Sequence, residues 1–499
     1  MGSNLLPLFV AIPLGSAFLV SLLGKKLRGF TDTFSNVATF SLVSLSLLSL
    51  LLIRSLGTVV YKVGGWIPPL GICMVLDSLT TFMLVTVNLI SFLVTIYSIS
   101  YMERYTAKWK FYTLFLLMLA GMNGVIVTGD IFNLFVFLEI ASISSYALVA
   151  FGVEHEELEA SFKYVVMGSV ASTFILLGIA LLYSYTSSLN MADISRTLAQ
   201  KAGGRLVFFV SALFIMGFGL KAALVPFHAW LPDAHPSAPA PISAMLSGVL
   251  IKALGVYALA RIFFNVLGIT AKSSSILMVL GAISMVLGGL LALGQEDIKR
   301  LFAYSSISQI GYVVLGISMG TTLGILAGLF HLFNHAAFKS LLFLNSGSIE
   351  YATGTRDLRK MGGLTSMMPV TSYSSLVGSM SISGIPPLSG FWSKLLVIVA
   401  AIQAKHFVFA SIAVLVSILT LAYYLKVQRL AFFGELRSTL TGIKEVPLTM
   451  KLSMIILSLI CIFGGLLLLP RVQKNFLNLA TGILVNGNNY ARAIFGSMK

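Results

Sequence analysis

Charge is sparse in this 499-residue chain: Asp, Glu, Lys and Arg together make up 10%, where a soluble domain carries about 25%. So few charges cannot coat a water-soluble particle of 53.7 kDa. Cysteine is scarcer still. Cys73 and Cys461 are the two present, enough for one disulfide and too few for an iron–sulfur cluster or a Cys-rich zinc site. No G-x-x-x-x-G-K-[ST] run occurs, which argues against ATP hydrolysis by this chain. No G-x-G-x-x-G follows a strand pattern, which argues against a nucleotide-linked dehydrogenase. The first apolar run has no basic segment before it, so no cleavable signal is expected. Neither a cofactor nor a metal is expected on this chain.

What abounds is apolar side chain, 57% without counting glycine, with a mean hydropathy of +0.96. Apolar stretches of about 17–25 residues read as spanning helices. Fourteen are expected, at 4–23, 34–56, 74–100, 111–128, 131–152, 161–186, 206–226, 240–264, 273–294, 301–318, 321–347, 368–404, 407–432 and 450–470. The fold class is an all-α polytopic membrane protein, a single membrane domain over 1–499 joined by short loops. A net charge of +16 would point to nucleic acid in a soluble protein. Here the lysines and arginines are expected to face lipid headgroups, with no nucleic-acid partner. The odd-numbered connections hold seventeen of them, including Arg28, Lys163, Lys299, Arg300 and Arg356, and the other side twelve, including Arg205, Arg261, Lys272 and Lys499. That bias places both termini outside the cell membrane.

Proline is clustered. Five of the fourteen lie within 226–241, and Pro369, Pro386 and Pro387 fall in the long twelfth segment. Proline removes a helix hydrogen bond and clashes with the preceding turn, so helices 7 and 12 are expected to break near mid-membrane, around Leu224–Pro226 and Gly384–Pro387. Broken backbone at that depth is tolerated only inside protein or beside a water-filled cavity. Two interruptions five helices apart suggest two inverted five-helix repeats, 111–264 and 273–432, a transporter pattern.

Four cations remain inside apolar segments: Lys221, Lys252, Lys339 and Lys394. Among the acids, Glu139 alone sits well inside one. Each costs at least ~2.5–3.5 kcal/mol there unless paired or hydrated. For Lys339 the bland alternative is a long stem reaching the headgroups. Burial disfavours a charged lysine and a nearby carboxylate favours it, so a membrane Glu–Lys pair can be switched by a neighbouring cation. Sodium needs several oxygen ligands, which lysine does not supply. The interior therefore reads as a proton path. His331, His335 and Lys339 recur every fourth residue, a stripe about 12 Å long with relay chemistry but no third metal ligand. His228 and His235, beside the proline-rich turn, read as loop residues.

These segments together carry a family resemblance. They are Phe132–Ile140 around Glu139, Gly219-Leu220-Lys221 leading into Pro226–Pro236, Ile251-Lys252, Tyr304–Gly311 containing Gln309, His331–Ala336, and Gly384–Lys394. The chain resembles the antiporter-like subunits of respiratory complex I and, more closely, the D-type subunits of Mrp sodium/proton antiporters. The counterpart subunits of archaeal membrane-bound hydrogenases look equally similar. The resemblance implies an ion-translocating subunit of a multi-subunit complex, moving protons and coupled to redox chemistry or sodium exchange elsewhere. Its partners would be other membrane subunits and a peripheral redox module. It also implies that Glu139 modulates Lys221, and that Lys252 and His335 bridge to Lys394, which opens to the opposite side. Some relatives carry histidine where Gln309 stands; glutamine holds no proton, so the relay there would need water. The long lateral helix of one complex I relative is not expected. The competing readings are a stand-alone secondary transporter with inverted repeats and a scaffold that no longer pumps.

Overall fold

Long apolar runs bounded by Asp, Thr and Gly caps build most of the molecule. Asp77, Asp130, Asp297 and Thr321 each accept a hydrogen bond from the first turn of the helix that follows, satisfying donors that lipid could not. The computed structural model describes residues 2–27, 29–201, 204–435, 437, 440 and 442–497; Arg28 and Lys499, counted above among the loop cations, lie outside them. In chain order the bundle comprises α1 (Leu8–Leu23), α2 (Phe30–Leu56), α3 (Ser78–Tyr101), α4 (Lys108–Val127), α5 (Ile131–Val149) and α6 (His155–Thr186). The two-part α7a (Arg205–Lys221) and α7b (Leu231–Ser237) follow, then α8 (Ala240–Val266), α9 (Ala271–Leu293), α10 (Ile298–Ser318) and α11 (Thr322–Thr353). The two-part α12a (Pro369–Ser383) and α12b (Ser389–Gln403), α13 (Phe407–Val427) and α14 (Leu448–Phe463) complete it. A small antiparallel hairpin, β1 (Val59–Lys62) against β2 (Cys73–Leu76), sits between α2 and α3.

Twelve helices among the described residues are long and apolar enough to cross a membrane, and each overlaps one of the expected segments. The other two expected segments, 206–226 and 368–404, are the proline-bearing ones, and there the helix is divided. α7a stops at Lys221 and helix resumes at Leu231; α12a stops at Ser383 and helix resumes at Ser389. Gly384 takes φ +84°, a left-handed conformation open to glycine. Side chains meet the freed backbone: Ser284 Oγ accepts from Val225 N at 2.9 Å, Trp230 Nε1 donates to Leu220 O at 3.1 Å, and Ser417 Oγ donates to Ser383 O at 3.0 Å.

α8 and α11 are buried on every side, whereas α2, α6 and α13 turn apolar side chains outward. α8 is also irregular, with π-helical turns at Leu246–Leu250, Lys252–Tyr257 and Arg261–Val266. π-turns concentrate at functional sites, and these flank the central lysine.

Two basic residues read above as loop cations are instead buried. Arg261 forms a bidentate pair with Asp77 at 2.7 and 2.9 Å, and Lys299 pairs with Glu350 at 2.8 Å. Each finds a carboxylate remote in sequence, which is what lets a span end sink inward. Burial alone would push Asp77 up, but the Arg261 charge and its hydrogen bonds hold the carboxyl below its ordinary value. On the opposite face of the bundle, Lys163 and Arg300 converge on Asp233 at 3.1 and 3.2 Å, Arg356 reaches Asp297 at 3.3 Å and Arg359 reaches Glu296 at 2.8 Å. These pairs tie together the connections entering α6, α8, α10 and α12a, so those connections share one face.

Candidate functional site

The site begins where α7a ends. Lys221 is its last helical residue, buried to 4% exposure, and its Nζ lies 3.7 Å from Glu139 Oε1 on α5. The ammonium also donates to Ser142 Oγ at 2.9 Å and to Tyr146 OH at 3.4 Å. Glu139 accepts a hydrogen bond from Ser172 on α6. Its side chain is 28% exposed, so the acidic end of the pair reaches the outside of the subunit while the basic end is inside. Tyr164 stacks on Trp230 at 4.2 Å and meets Tyr146 edge-on at 4.5 Å, packing the lysine's neighbours against the break.

α8 passes directly beneath. Gly255 allows it: a Cβ there would lie 2.5 Å from Ala222 N, the residue after Lys221. Lys252, one turn earlier on α8, is fully buried and donates to Ser247 O. Ser247 Oγ meets Ser306 Oγ of α10 at 2.7 Å, so polar contact continues into the second half of the chain.

There α11 carries its stripe inward. His331 Nδ1 lies 2.9 Å from Ser393 Oγ on α12b, and Tyr312 packs against its ring at 5.5 Å. Lys394 lies over the same Tyr312 ring at 4.9 Å and is 3.4 Å from Ser417 Oγ; its stem passes 3.2 Å from where a Gly384 Cβ would stand. The second lysine is thus folded back onto the second break. Lys339 does not snorkel. It is fully buried and donates to Phe302 O at 2.8 Å and Tyr424 OH at 3.2 Å. Gln309 bonds Thr420 Oγ1 at 3.4 Å through Nε2, and neither its Oε1 nor either His335 nitrogen has a hydrogen-bond partner among the described residues.

His235 corrects the loop reading. It sits in α7b, fully buried, its ring tilted against that of Phe343 at 4.9 Å, with neither ring nitrogen bonded among the described residues. The backbone around it is held from the charged face: Arg356 donates to Pro236 O at 2.5 Å and Lys299 to Ala238 O at 3.2 Å. A cavity of about 780 Å³, lined by Ser237, Asp297, Glu350 and Arg356 among others, opens on that face. His228 is half-buried beside the first break. No group of three His, Cys, Asp or Glu side chains that could hold a metal occurs among the described residues.

Residues 128–420 match the family described as NADH:quinone oxidoreductase/Mrp antiporter, TM, and residues 67–112 match NADH-ubiquinone oxidoreductase (complex I), chain 5 N-terminus. The chain is 36% identical over 443 residues to the N subunit of NADH-quinone oxidoreductase from Desulforudis audaxviator, covering 87% of this chain and 88% of the relative. It is 34% identical over 436 residues to the D subunit of the Na(+)/H(+) antiporter from Alkalihalophilus pseudofirmus, with the same two coverages of 87% and 88%. Among solved structures it superposes on a chain of the Mrp complex from Dietzia sp. with a TM-score of 0.92 at 28% identity, covering 99% of this chain and 100% of that one. A chain of the membrane-bound sulfane sulfur reductase, an archaeal respiratory membrane complex, gives a TM-score of 0.91 at 33% identity with the same 99% and 100% coverages.

Proposed function

Because this chain belongs to the NADH:quinone oxidoreductase/Mrp antiporter family and is an antiporter-like membrane subunit of Mrp- or complex I-like assemblies, we propose that protons cross it through Glu139, Lys221, Lys252, His335 and Lys394. The observation that carries this reading is the Glu139–Lys221 contact of 3.7 Å at a broken helix, with one partner facing outward and the other buried. A cation arriving beside Glu139 competes for its carboxylate, and the lysine, losing its counter-charge, then passes its proton inward. Lys252 receives it. His331 and Lys339 relay it towards Lys394, with water at Gln309.

Uptake through the charged face fits the position of His235, between that face and the central lysine. The pattern of two breaks supports inverted repeats over 111–264 and 273–432, each contributing one half-path. We place the chain in the plasma membrane with both termini outside. Other membrane subunits accompany it in the assembly. A peripheral redox module or a sodium path in a neighbouring subunit supplies the driving ion or electron flow. A stand-alone transporter and an inert scaffold draw no comparable support from the buried pair.

The test replaces Glu139 with Gln and Lys221 with Ala in the assembled complex, in sealed vesicles read by pH- and sodium-sensitive dyes. Both variants are expected to assemble and to lose transport. Near-normal transport in either would end the switch.

A further inference from the structure

We propose that the groove between α7a and α9, far from the proton path's charged face, is a binding site for an anionic phospholipid of the bilayer. The groove has a volume of about 760 Å³. Its mouth carries Arg205 and Lys272, both exposed. The ion pairs on this face engage Arg196 and Arg261, and neither Arg205 nor Lys272 has one among the described residues. Lys272 instead lies over the Phe208 ring at 5.8 Å. α7a begins at the mouth too, and Gly204 offers no side chain to cap it, so its first N–H groups add positive potential where the cations already are.

Below the mouth the lining turns apolar. Phe208, Ala212 and Ile215 follow Arg205 along the groove, spaced so that they share one stripe of α7a, and Ile276 faces them from α9. From Arg205 to Ile215 is ten residues, about 15 Å of helix, against a hydrocarbon core of about 30 Å. The trough is therefore one leaflet deep, with positive charge at headgroup level and a slot for an acyl chain beneath. A phospholipid whose headgroup carries a net negative charge meets both requirements. A zwitterionic lipid, whose choline would sit beside two unpaired cations, meets only the second. The lipid would brace the outer flank of α7a, which ends at Lys221 six residues beyond Ile215.

Native mass spectrometry of the full chain, released from mild detergent with phosphatidylglycerol or phosphatidylcholine added, reads the preference directly. Phosphatidylglycerol is expected to be retained over phosphatidylcholine, and Arg205→Gln with Lys272→Gln to cut its retention roughly tenfold, as two interfacial cations would. Ala212→Phe, which fills the slot and keeps both charges, should lower retention as well. In the unaltered complex, a photoactivatable phosphatidylglycerol should label the stretch around Phe208 or Ile276. The proposal falls if the double variant keeps its lipid preference. It falls equally if the label lands only elsewhere, or if a partner subunit's helix occupies the groove.

Discussion

Lys394 exposes the logic of the site at the scale of one side chain. Among the described residues its Nζ meets one hydroxyl, that of Ser417 at 3.4 Å, and the Tyr312 ring. If its task is to release a proton, arginine must fail there, because a guanidinium keeps its proton at any working pH. Lys394→Ala and Lys394→Arg are therefore expected to stop transport in sealed vesicles, while Lys394→Glu, which also titrates, keeps part of it. Transport by Lys394→Arg at the parental rate would make the residue a fixed charge. His235→Phe should slow transport several-fold without harming assembly, since its ring nitrogens bond nothing else among the described residues; an unchanged rate would remove it from the path. The intramembrane lysines and Glu139 are legible in the sequence because an ionisable residue interrupts an apolar run. His235 is not: it lies among prolines with the composition of a turn. Arg261 and Lys299 escape notice for another reason, as their partners Asp77 and Glu350 are remote along the chain.

At the scale of elements, the breaks can be read from proline, but the closeness of the helices around them depends on glycine. Gly255→Ala would drive a methyl into the Ala222 backbone at 2.5 Å, an overpacking that costs typically 1–3 kcal/mol. A lowered melting temperature with transport falling further is expected, read by thermal unfolding and vesicle assay on the same preparation. The π-turns of α8 leave no trace in the apolar pattern, which continues unbroken through them. The Asp77–Arg261 clasp ties the end of α8 to the start of α3. Asp77→Asn leaves a buried guanidinium without its counter-charge, a loss of about 3–5 kcal/mol. Because the folded carboxyl titrates below its unfolded value of about 3.9, this clasp stabilises fully above that pH and is lost as acid carries the pH down through the lower folded value. Melting temperatures of parent and Asp77→Asn, measured at a series of pH values, should therefore converge as pH falls; a constant gap would assign the clasp no ionic role.

For the whole molecule, the nearly all-helical, many-span architecture follows from hydropathy, since lipid leaves a helix few alternatives. Sidedness rests on the Lys and Arg bias between the two sets of connections. If both termini are outside, a cysteine at Lys360 should react with a membrane-impermeant maleimide from the cytoplasm alone, and one at Lys474 from the outside alone; the reverse pattern inverts the molecule. Trp230, stacked on Tyr164 and bonded to Leu220 across the first break, also gives the protein an optical handle. Trp66, Trp109 and Trp392 are the other indoles. With those three changed to phenylalanine, the remaining emission comes from a ring one residue removed from α7b and in contact with the carbonyl just before Lys221. Any rearrangement that wets the break during turnover would shift that emission to the red, so the opening step could be timed by stopped-flow fluorescence without attaching a dye.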